Sequence, residues 1–488
     1  MTTTTSPPTE QVSGLDRYFR ISERGSNVRR EVRGGLVTFV TMAYIVVLNP
    51  LIIGTVKDAD GKLLGITAVA GVTALVAAVM TILMGVVGRY PLAVSTGLGL
   101  NACVAFGVAS RMSWADAMGL VVLEGLVITL LVLTGFRTAV LRAIPNQLKT
   151  AIAVGIGLFI ALIGFVDAGF VRKTSSGSVP VQLSIAGDGS LRGWPTLVFV
   201  VGVVLITVLL VRGVRGAILI GIAVATALAL IIEKVAHPGA SVGADGKVNP
   251  EGWQLNVPTW PGKVVDTPDL SLVGHFSLTG GFSRIGVISA VLIVFTLMLA
   301  DFFDTMGTVV GVGAEAGLLD EEGHLPGVEQ VLLIDSLAAA AGGAASASSA
   351  TTYVESASGV GDGARTGLAS VVTGLLFILA LFFTPLVSLV PSEAAAPALV
   401  VVGVLLFTQV RSLDLTDLTL AVPAFLTIVV MPFTYSITDG IGAGFISYTV
   451  LMAAKGKVRD VHPLLWVITV LYAIYFMLDP LKTLLGIN

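Results

Sequence analysis

The sequence predicts an all-α protein that crosses a membrane many times, and three properties of the chain support this prediction. Its 488 residues are 55% apolar and only 12% charged, whereas water-soluble domains carry about 25% charged residues. The mean hydropathy is +0.94. Segments such as 36–54 and 69–87 contain no charged residue, and a helix needs ~20 such residues to cross the hydrocarbon core. Because barrel strands alternate polar and apolar residues, these uninterrupted segments exclude a membrane β-barrel.

About fourteen transmembrane segments are expected, arranged in two halves. The first half has apolar segments at 36–54, 66–87, 92–108, 117–134, 148–166, 197–211 and 217–232. The second half has them at 285–312, 331–345, in a Ser/Thr-rich stretch that ends at Gly359, and at 368–390, 398–410, 418–430, 437–452 and 464–478. The second half therefore has one segment more than the first. Either the link at 434–440 joins two short helices, or the last segment is an additional or interfacial helix.

The two halves resemble each other, which predicts an internal repeat. Residues 95–102 align with residues 349–356, and each stretch follows a Gly-containing span. Because seven spans per half is an odd number, the second copy is inverted relative to the first, as in many secondary transporters. We therefore divide the chain into a disordered cytoplasmic tail (1–29), a first seven-span repeat (30–233), an extracytoplasmic linker (234–283) and a second, inverted repeat (284–488).

The distribution of Lys and Arg predicts a cytoplasmic N-terminus, because cytoplasmic loops carry an excess of these residues. The tail and the loops expected on its side contain Arg17, Arg20, Arg24, Arg29, Arg30, Arg33, Arg89, Arg137, Arg142, Lys149, Arg212, Arg215, Arg411, Lys455, Lys457 and Arg459. The intervening loops are poorer in positive charge. The tail also lacks the layout of a signal peptide, so we expect a multi-pass protein of the cell membrane.

Several functional classes are disfavoured by the composition. The net charge is −3, and no basic cluster suggests binding to nucleic acid. A single cysteine, Cys103, leaves no intrachain disulfide and no multi-cysteine metal or redox site. A membrane enzyme needs a nucleophile or a metal cluster, and the four histidines, at 237, 275, 324 and 462, lie outside the central spans. We expect neither catalysis, nor a cofactor, nor a bound metal.

Carboxylates inside apolar segments are the strongest functional signal, because a charge at the bilayer centre costs ~2.5–3.5 kcal/mol on insertion scales. Asp301 and Asp304 lie in the segment 285–312, and their i,i+3 spacing places both on one helix face. Glu355 lies in the Ser/Thr-rich stretch, and Asn101 occupies the matching position in the first half. Two further carboxylates within or near spans, Glu124 and Asp335, have no role that the sequence suggests.

Short polar residues around Asn101 and Glu355 predict that the third and tenth spans are broken, each with a short extended segment beside a half-helix. Non-helical backbone is tolerated at that depth only where it is buried or lines a cavity. Free N–H groups of a half-helix and side-chain acceptors suit a polar, planar molecule. Glu355 would accept two ring N–H bonds, and Tyr353 would stack on a flat ring. No Lys or Arg lies in these segments, which disfavours an anionic substrate.

Several motifs resemble the AzgA-like adenine/guanine/hypoxanthine permeases, a branch of the nucleobase:cation symporter-2 (NCS2) superfamily. The resemblance extends from about Arg30 to the link at 434–436, most of the chain. It is carried by Arg30-Glu-Val-Arg-Gly-Gly-Leu-Val-Thr-Phe-Val-Thr-Met-Ala-Tyr-Ile-Val-Val-Leu-Asn-Pro50, Gly97-Leu-Gly-Leu-Asn-Ala102, Asp301-Phe-Phe-Asp-Thr-Met-Gly-Thr308, Ala316-Gly-Leu-Leu-Asp320, Thr351-Thr-Tyr-Val-Glu-Ser-Ala-Ser-Gly-Val360 and Arg365-Thr-Gly367.

This resemblance implies a secondary transporter that imports purine nucleobases, namely hypoxanthine, guanine or adenine, by proton symport. It also implies a UraA-like fold with a core domain and a gate domain, and a homodimer formed through the gate. Substrate would bind between the broken third and tenth spans. Carried over by motif, the essential positions are Asn101, Asp301, Asp304 and Glu355.

From these positions we expect substrate binding by Glu355, Asn101, Asp301 and Tyr353. Asp301 would also carry or relay the coupling proton, and Asp304 would take part in proton coupling or brace the core. The expected partners are the purine and the lipid bilayer. Rocking of the core against the gate would then expose the site to each side in turn.

Alternatives remain open at this point. The same fold would serve a transporter of another nucleobase (uracil or xanthine) or of a small anion, and a channel or a membrane-embedded enzyme are further candidates. An anion transporter predicts a basic residue near the broken spans. The Asn-x-Gly signature of the xanthine/uracil branch is absent after Glu355, where Ser356-Ala-Ser-Gly359 stands. The sequence leaves open which purine is preferred and whether H⁺ or Na⁺ is coupled.

Overall fold

The computed structural model of the chain describes residues 14–134, 144–173, 183–185, 191, 193–242, 248–320 and 325–477. Its helices are α1 Gly14–Phe19, α2 Val28–Met42, α3 Ile45–Ile53, α4 Ile66–Leu83, α5 Leu98–Ala102, α6 Trp114–Leu133, α7 Asn146–Asp167, α8 Trp194–Val211, α9 Ala217–Ala236, α10 Gly280–Ile285, α11 Val287–Glu315, α12 Val328–Ala344, α13 Ser356–Gly361, α14 Gly367–Ala380, α15 Ser392–Phe407, α16 Leu418–Thr434, α17 Ile437–Ala454 and α18 Pro463–Phe476. The short strands are β1 Val94–Thr96, β2 Val171–Lys173, β3 Leu183–Ile185 and β4 Ala350–Thr352.

Ten helical segments in the described part of the chain are long and apolar enough to cross a membrane. Three shorter apolar helices, Leu98–Val108, Leu418–Thr434 and Pro463–Phe476, add to them. The expected all-α, multi-pass architecture is confirmed, whereas the number of fourteen spans stays a prediction. The link at 434–440 does separate two helices, because Tyr435 adopts a left-handed conformation (φ +57°) that ends α16.

The helices pack into two units. The core unit contains α2–α6 and α11–α14 together with β1 and β4, and the gate unit contains α7–α9 and α15–α18. Nearly every pair of packed helices has a counterpart pair, in which each helix is replaced by the equivalent helix of the other half of the chain. Helix α4 packs on α14 as α12 packs on α6, and α7 packs on α16 as α15 packs on α8. This reciprocity, around an antiparallel strand pair, is the arrangement of two inverted repeats, as expected from the sequence.

Strands β1 and β4 pair antiparallel at the centre of the core. The paired residues are Val94 with Thr352, Ser95 with Thr351, and Thr96 with Ala350. Backbone hydrogen bonds from Tyr353 N to Ala93 O (2.9 Å) and from Gly97 N to Ser349 O (3.0 Å) extend the pairing at both ends. All six strand residues are buried. The predicted breaks in the third and tenth spans are therefore confirmed. The two extended segments provide each other with partners for their backbone hydrogen bonds.

Side chains of the preceding helices complete the hydrogen bonding of the outer strand edges. The hydroxyl of Thr81, on α4, accepts from Val94 N (3.0 Å) and donates to Val94 O (2.9 Å). In the other repeat, Asp335 on α12 accepts from Thr352 N through its Oδ1 (2.9 Å). An unpaired backbone group inside a membrane is strongly destabilising. These two side chains thus allow extended backbone to exist at this depth.

Residues 14–29, part of the segment expected to be disordered, are folded against the core. Phe19 and Ile21 are buried, and the Tyr18 hydroxyl donates to Val86 O (3.0 Å). Arg24 donates to Arg89 O (2.7 Å) and lies over the ring of Tyr90. Apolar and aromatic side chains near the end of the polar tail explain why it packs here. Residues 1–13 lie outside the described part.

Core and gate contact each other at both ends of the molecule. The helices that follow β1 and β4 lead in opposite directions, because the strands are antiparallel. After α13, Asp362 forms ion pairs with Arg33 of the core and with Arg215 of the α8–α9 connection in the gate. Burial raises the pKa of Asp362, but the two guanidiniums outweigh burial and hold it below its usual value. At the other end, Arg111 donates to the hydroxyl of Tyr475 on α18 (2.7 Å).

Small residues let core helices approach closely, as is typical of membrane proteins. Helices α2 and α13 meet at Gly34 and Gly359. A Cβ at position 359 would lie 2.6 Å from Gly34 O and 2.2 Å from the Thr38 hydroxyl oxygen. A side chain can rotate away, whereas the backbone oxygen cannot.

We therefore expect Gly359→Ala to destabilise the protein by about 1–3 kcal/mol, the usual cost of overpacking. The measurement is the unfolding temperature of the detergent-purified protein. Gly107→Ala is the matched control, because nothing lies within 4 Å of a Cβ at that position. Equal unfolding temperatures for the two variants would contradict this description of the α2–α13 contact.

Candidate functional site

A cavity of about 90 Å³ lies where the strand pair of the core faces the gate helices α7 and α15. Its walls are formed by Tyr44, Gly97, Leu98, Gly99, Ile160, Asp304, Thr352, Tyr353, Val354, Glu355, Val402 and Leu406. Ligand pockets usually enclose ~300–1,000 Å³. A ligand of ordinary size therefore enters only if the gate moves away from the core.

Glu355 lies three residues after the end of β4 and is the N-cap residue of α13. Because β4 is fixed by β1 and by Asp335, the position of Glu355 at the cavity wall is fixed as well. The hydroxyl of Tyr44, located between α2 and α3, donates a hydrogen bond to Glu355 Oε1. Tyr44 is only 1% exposed. A carboxylate held in this way presents its other oxygen to a ligand.

Asp304 also lines the cavity, but Asp301 does not. Asp301 is 1% exposed and lies beside Thr351 of β4. The i,i+3 spacing was expected to place both carboxylates on one face. Three residues turn an α-helix by ~300°, so the two side chains diverge by ~60°, which is enough to put them in different surroundings. Only Asp304 of this pair is in a position to touch a ligand in the cavity.

Asn101 is buried behind the cavity, in the first turn after β1. Its side-chain amide donates to the hydroxyl of Thr96 (3.3 Å), and its Oδ1 has no hydrogen-bond partner. Tyr353 lines the cavity with part of its ring, while its hydroxyl donates to Thr96 O (2.5 Å). The Tyr353 hydroxyl thus ties the segment after β4 to β1, whereas Asn101 bonds within its own segment. Of the four expected binding residues, Glu355 and Tyr353 reach the cavity in this conformation.

The gate contributes an apolar wall that the sequence did not single out. Ile160 comes from α7, and Val402 and Leu406 come from α15. These residues are ordinary members of apolar spans, so nothing in the sequence distinguishes them. Tyr44 was missed for the same reason, although a hydroxyl within an apolar span is a usable signal. The site is therefore polar on the core side and apolar on the gate side.

A second group of carboxylates lies behind the strand pair. Glu124 of α6, Asp335 of α12 and Asp301 of α11 are fully buried and interact electrostatically with one another. In the sequence, only their position inside apolar spans indicated that these carboxylates could be functional. Among the described residues, no group of His, Cys, Asp or Glu is arranged to hold a metal ion.

Comparison with known proteins places the chain in a family. Residues 29–442 match the model of the permease family Xan_ur_permease. The guanine/hypoxanthine permease PbuG of Bacillus subtilis (strain 168) is 38% identical over 468 residues, which cover 95% of this chain and 99% of PbuG. The chain belongs to this permease family. A permease moves a solute across a membrane, so the expectation of a transporter and not an enzyme is confirmed, as is the resemblance to the AzgA-like, NCS2 permeases.

Other relatives agree with this assignment. The adenine permease AdeP of Escherichia coli (strain K12) is 37% identical, over 95% of this chain and 97% of AdeP. Among solved structures, the transmembrane domain of the cyanobacterial bicarbonate transporter BicA superposes with a TM-score of 0.60, covering 86% of this permease and 97% of that domain. Its sequence identity is 14%. At that identity the likeness concerns the fold, which it supports, and not the substrate.

Proposed function

We propose that this permease imports purine nucleobases, namely hypoxanthine, guanine or adenine, across the cell membrane by proton symport. Two relatives that align with 95% of the chain carry the names guanine/hypoxanthine permease and adenine permease. The observation on this chain that supports the proposal best is the position of Glu355. It is a carboxylate at the cavity wall, held by Tyr44, opposite an apolar gate.

The chemistry of the cavity suits a neutral purine. Purines carry ring N–H groups, which a carboxylate accepts strongly. Glu355 Oε1 is engaged by Tyr44, so we assign the ligand N–H to Oε2, one contact where the sequence suggested two. The flat faces of the base would lie between Tyr353 and the apolar gate residues. The described residues that line the cavity include no Lys or Arg, which argues against a small anion as substrate.

Proton coupling is assigned to the carboxylates near the cavity. Asp304 and Glu355 both line it and interact electrostatically. A charged carboxylate at the bilayer centre is costly, so loading the site with a proton together with the base favours movement of the loaded core. Asp301, one turn before Asp304, would receive the proton from it. Alternate opening of the contacts at Asp362 and Arg111 would expose the cavity to each side in turn.

We assign the N-terminus to the cytoplasm. Arg24, Arg33, Arg89 and Arg215 belong to one end of the structure, where they are connected through backbone carbonyls and Asp362. Positive charge concentrates on the cytoplasmic side of membrane proteins. A homodimer through the gate is a further part of the proposal, since α8 and α9 expose apolar residues such as Val211 and Ile231. Other nucleobases, uracil and xanthine, present similar ring N–H groups and belong in the substrate test.

The direct test is uptake of labelled hypoxanthine, guanine, adenine, xanthine and uracil into cells that lack their own nucleobase permeases. We expect saturable uptake of at least one of the first three, abolished by a protonophore. Glu355→Gln, which keeps the size but not the charge, should reduce uptake at least about tenfold, because removing a charged hydrogen bond costs ~1.5–3 kcal/mol and the proton site is altered as well.

The matched control for this experiment is Glu329→Gln, an exposed carboxylate at the start of α12. It should transport like the unaltered protein. Background uptake of every purine by a protein that reaches the membrane would refute the substrate assignment. Normal uptake by Glu355→Gln would refute the site.

Tyr44→Phe removes only the hydroxyl that holds Glu355. The carboxylate then loses its fixed orientation, and we expect the KM for the purine to rise about tenfold, equivalent to ~1.4 kcal/mol, with little change in maximal rate. Kinetics of initial uptake rates give both values. An unchanged KM would show that Tyr44 does not position the carboxylate.

A further inference from the structure

The proposed mechanism uses the carboxylates at the cavity and passes the proton to Asp301, but it gives no task to the other buried carboxylates behind the strands. Glu124 is 0% exposed, and Asp301 and Asp335 are each 1% exposed. None of the three is part of the cavity wall. They come from three different helices, α6, α11 and α12, so the fold has to bring them together. Three acidic side chains at this depth are energetically costly, and ionisable residues kept within a membrane usually have a function.

Hydroxyl groups connect two of these carboxylates. Thr305 of α11 donates to Asp335 Oδ2 (2.6 Å) and shares a hydrogen bond with the Thr351 hydroxyl (2.7 Å). Thr351 in turn lies near Asp301, without a hydrogen bond between them in this conformation. The side chains of Thr351 and Thr352 point to opposite faces of β4, so Thr351 connects to the buried group while Thr352 faces the cavity. The order along the connection is Asp301, Thr351, Thr305, Asp335.

Unsatisfied oxygen atoms lie at two points of this buried group. Neither carboxyl oxygen of Asp301 has a partner in hydrogen-bond geometry. Glu124 accepts from the Ser349 hydroxyl through Oε1 (3.1 Å), while its Oε2 has no partner. A buried polar atom without a partner is destabilising, and an added proton lets a carboxyl group donate as well as accept. The free oxygens therefore point to bound protons.

A proton fits this place better than a metal ion. No described ion pair involves Asp301 or Glu124. The described residues also contain no His, Cys, Asp and Glu group arranged for a metal. Several negative charges in a space of low polarity repel one another, so such a group binds protons and shares them among its members. The charged groups that face Asp335 from the neighbouring helices are Glu124, Asp301 and Asp304.

We propose that Asp335 is a proton-coupling residue, which exchanges the transported proton with Asp301 through the hydroxyls of Thr351 and Thr305. When the Asp301 side chain rotates into hydrogen bonding with Thr351, its proton passes to the Thr351 oxygen. The proton of Thr351 passes to Thr305, and the proton of Thr305 passes to Asp335. Each hydroxyl gains one proton and loses one, so only the two carboxyl groups change charge. Glu124 interacts electrostatically with both carboxyl groups and takes part in sharing the proton.

This inference rests on the proposed proton symport and deepens it. The coupling proton is stored behind the strand pair, whereas the base is bound in front of it. The strands lie between the purine and the proton. They also connect the two sites, because Thr352 N of β4 donates a hydrogen bond to Asp335. A movement of the strand pair as one unit on purine binding changes the surroundings of the proton.

The test uses purified protein in liposomes that enclose a pH-sensitive dye. Two quantities are measured: proton entry driven by a purine gradient, and exchange of labelled for unlabelled purine at equal concentrations, which needs no net proton movement. Thr305→Val and Asp335→Asn should reduce purine-driven proton entry at least about tenfold, as expected when a proton-transfer group is removed. Both variants should retain at least about half of the exchange rate, because the cavity residues are intact.

Thr305→Ser keeps the hydroxyl and should restore proton entry, and Thr308→Val, one turn further along α11, is the matched control for a buried Thr. Proton entry at the normal rate in Thr305→Val, or an equal loss of exchange and proton entry in both variants, overturns the relay. Purine exchange without any proton entry in the unaltered protein overturns the proposed symport itself. The two failures are distinguishable, since only the second affects the unaltered protein.

Discussion

The antiparallel pairing of β1 and β4 is the interaction on which the rest of the structure depends. Inside a membrane, every backbone N–H and C=O needs a partner within the protein. Two spans broken at the same depth, one from each repeat, satisfy this demand for each other. Thr81 and Asp335 complete the outer edges. Helices α5 and α13 can begin only where this pairing ends, and the pairing thereby determines the position of Glu355.

The two faces of this strand pair have different chemistry. In front, Glu355, Asp304 and Tyr353 form a polar wall that meets an apolar gate. Behind, buried carboxylates are linked to β4 by Thr351 and by the backbone of Thr352. In the proposed transport cycle, a rigid pair of strands keeps both faces in register while the gate moves. A binding site on such a support needs little reorganisation when the ligand arrives.

Hydropathy and the polar content of the stretches around Asn101 and Glu355 were enough to predict the helical class, the inverted repeat and the broken spans, because insertion into lipid constrains all three strongly. The direction in which individual side chains point was harder to predict from the sequence. The spacing of Asp301 and Asp304 indicated one common face, but a difference of ~60° around the helix separates cavity from interior. The hydrogen bond from Tyr44 to Glu355 joins residues far apart in the chain, and no local pattern in the sequence contains that information.

The central claim is that β1 and β4 stay paired while the permease works. Thr96 and Ala350 are paired across the strands at a site without backbone hydrogen bonds between them, where side chains come closest. A disulfide in the variant Thr96→Cys/Ala350→Cys/Cys103→Ala would therefore lock the pair. Transport should be measured in liposomes with the disulfide formed and after its reduction. Equal purine transport in both states is the predicted result. Transport that is lost on oxidation and restored on reduction would show that the strands separate during the cycle, and would contradict the account.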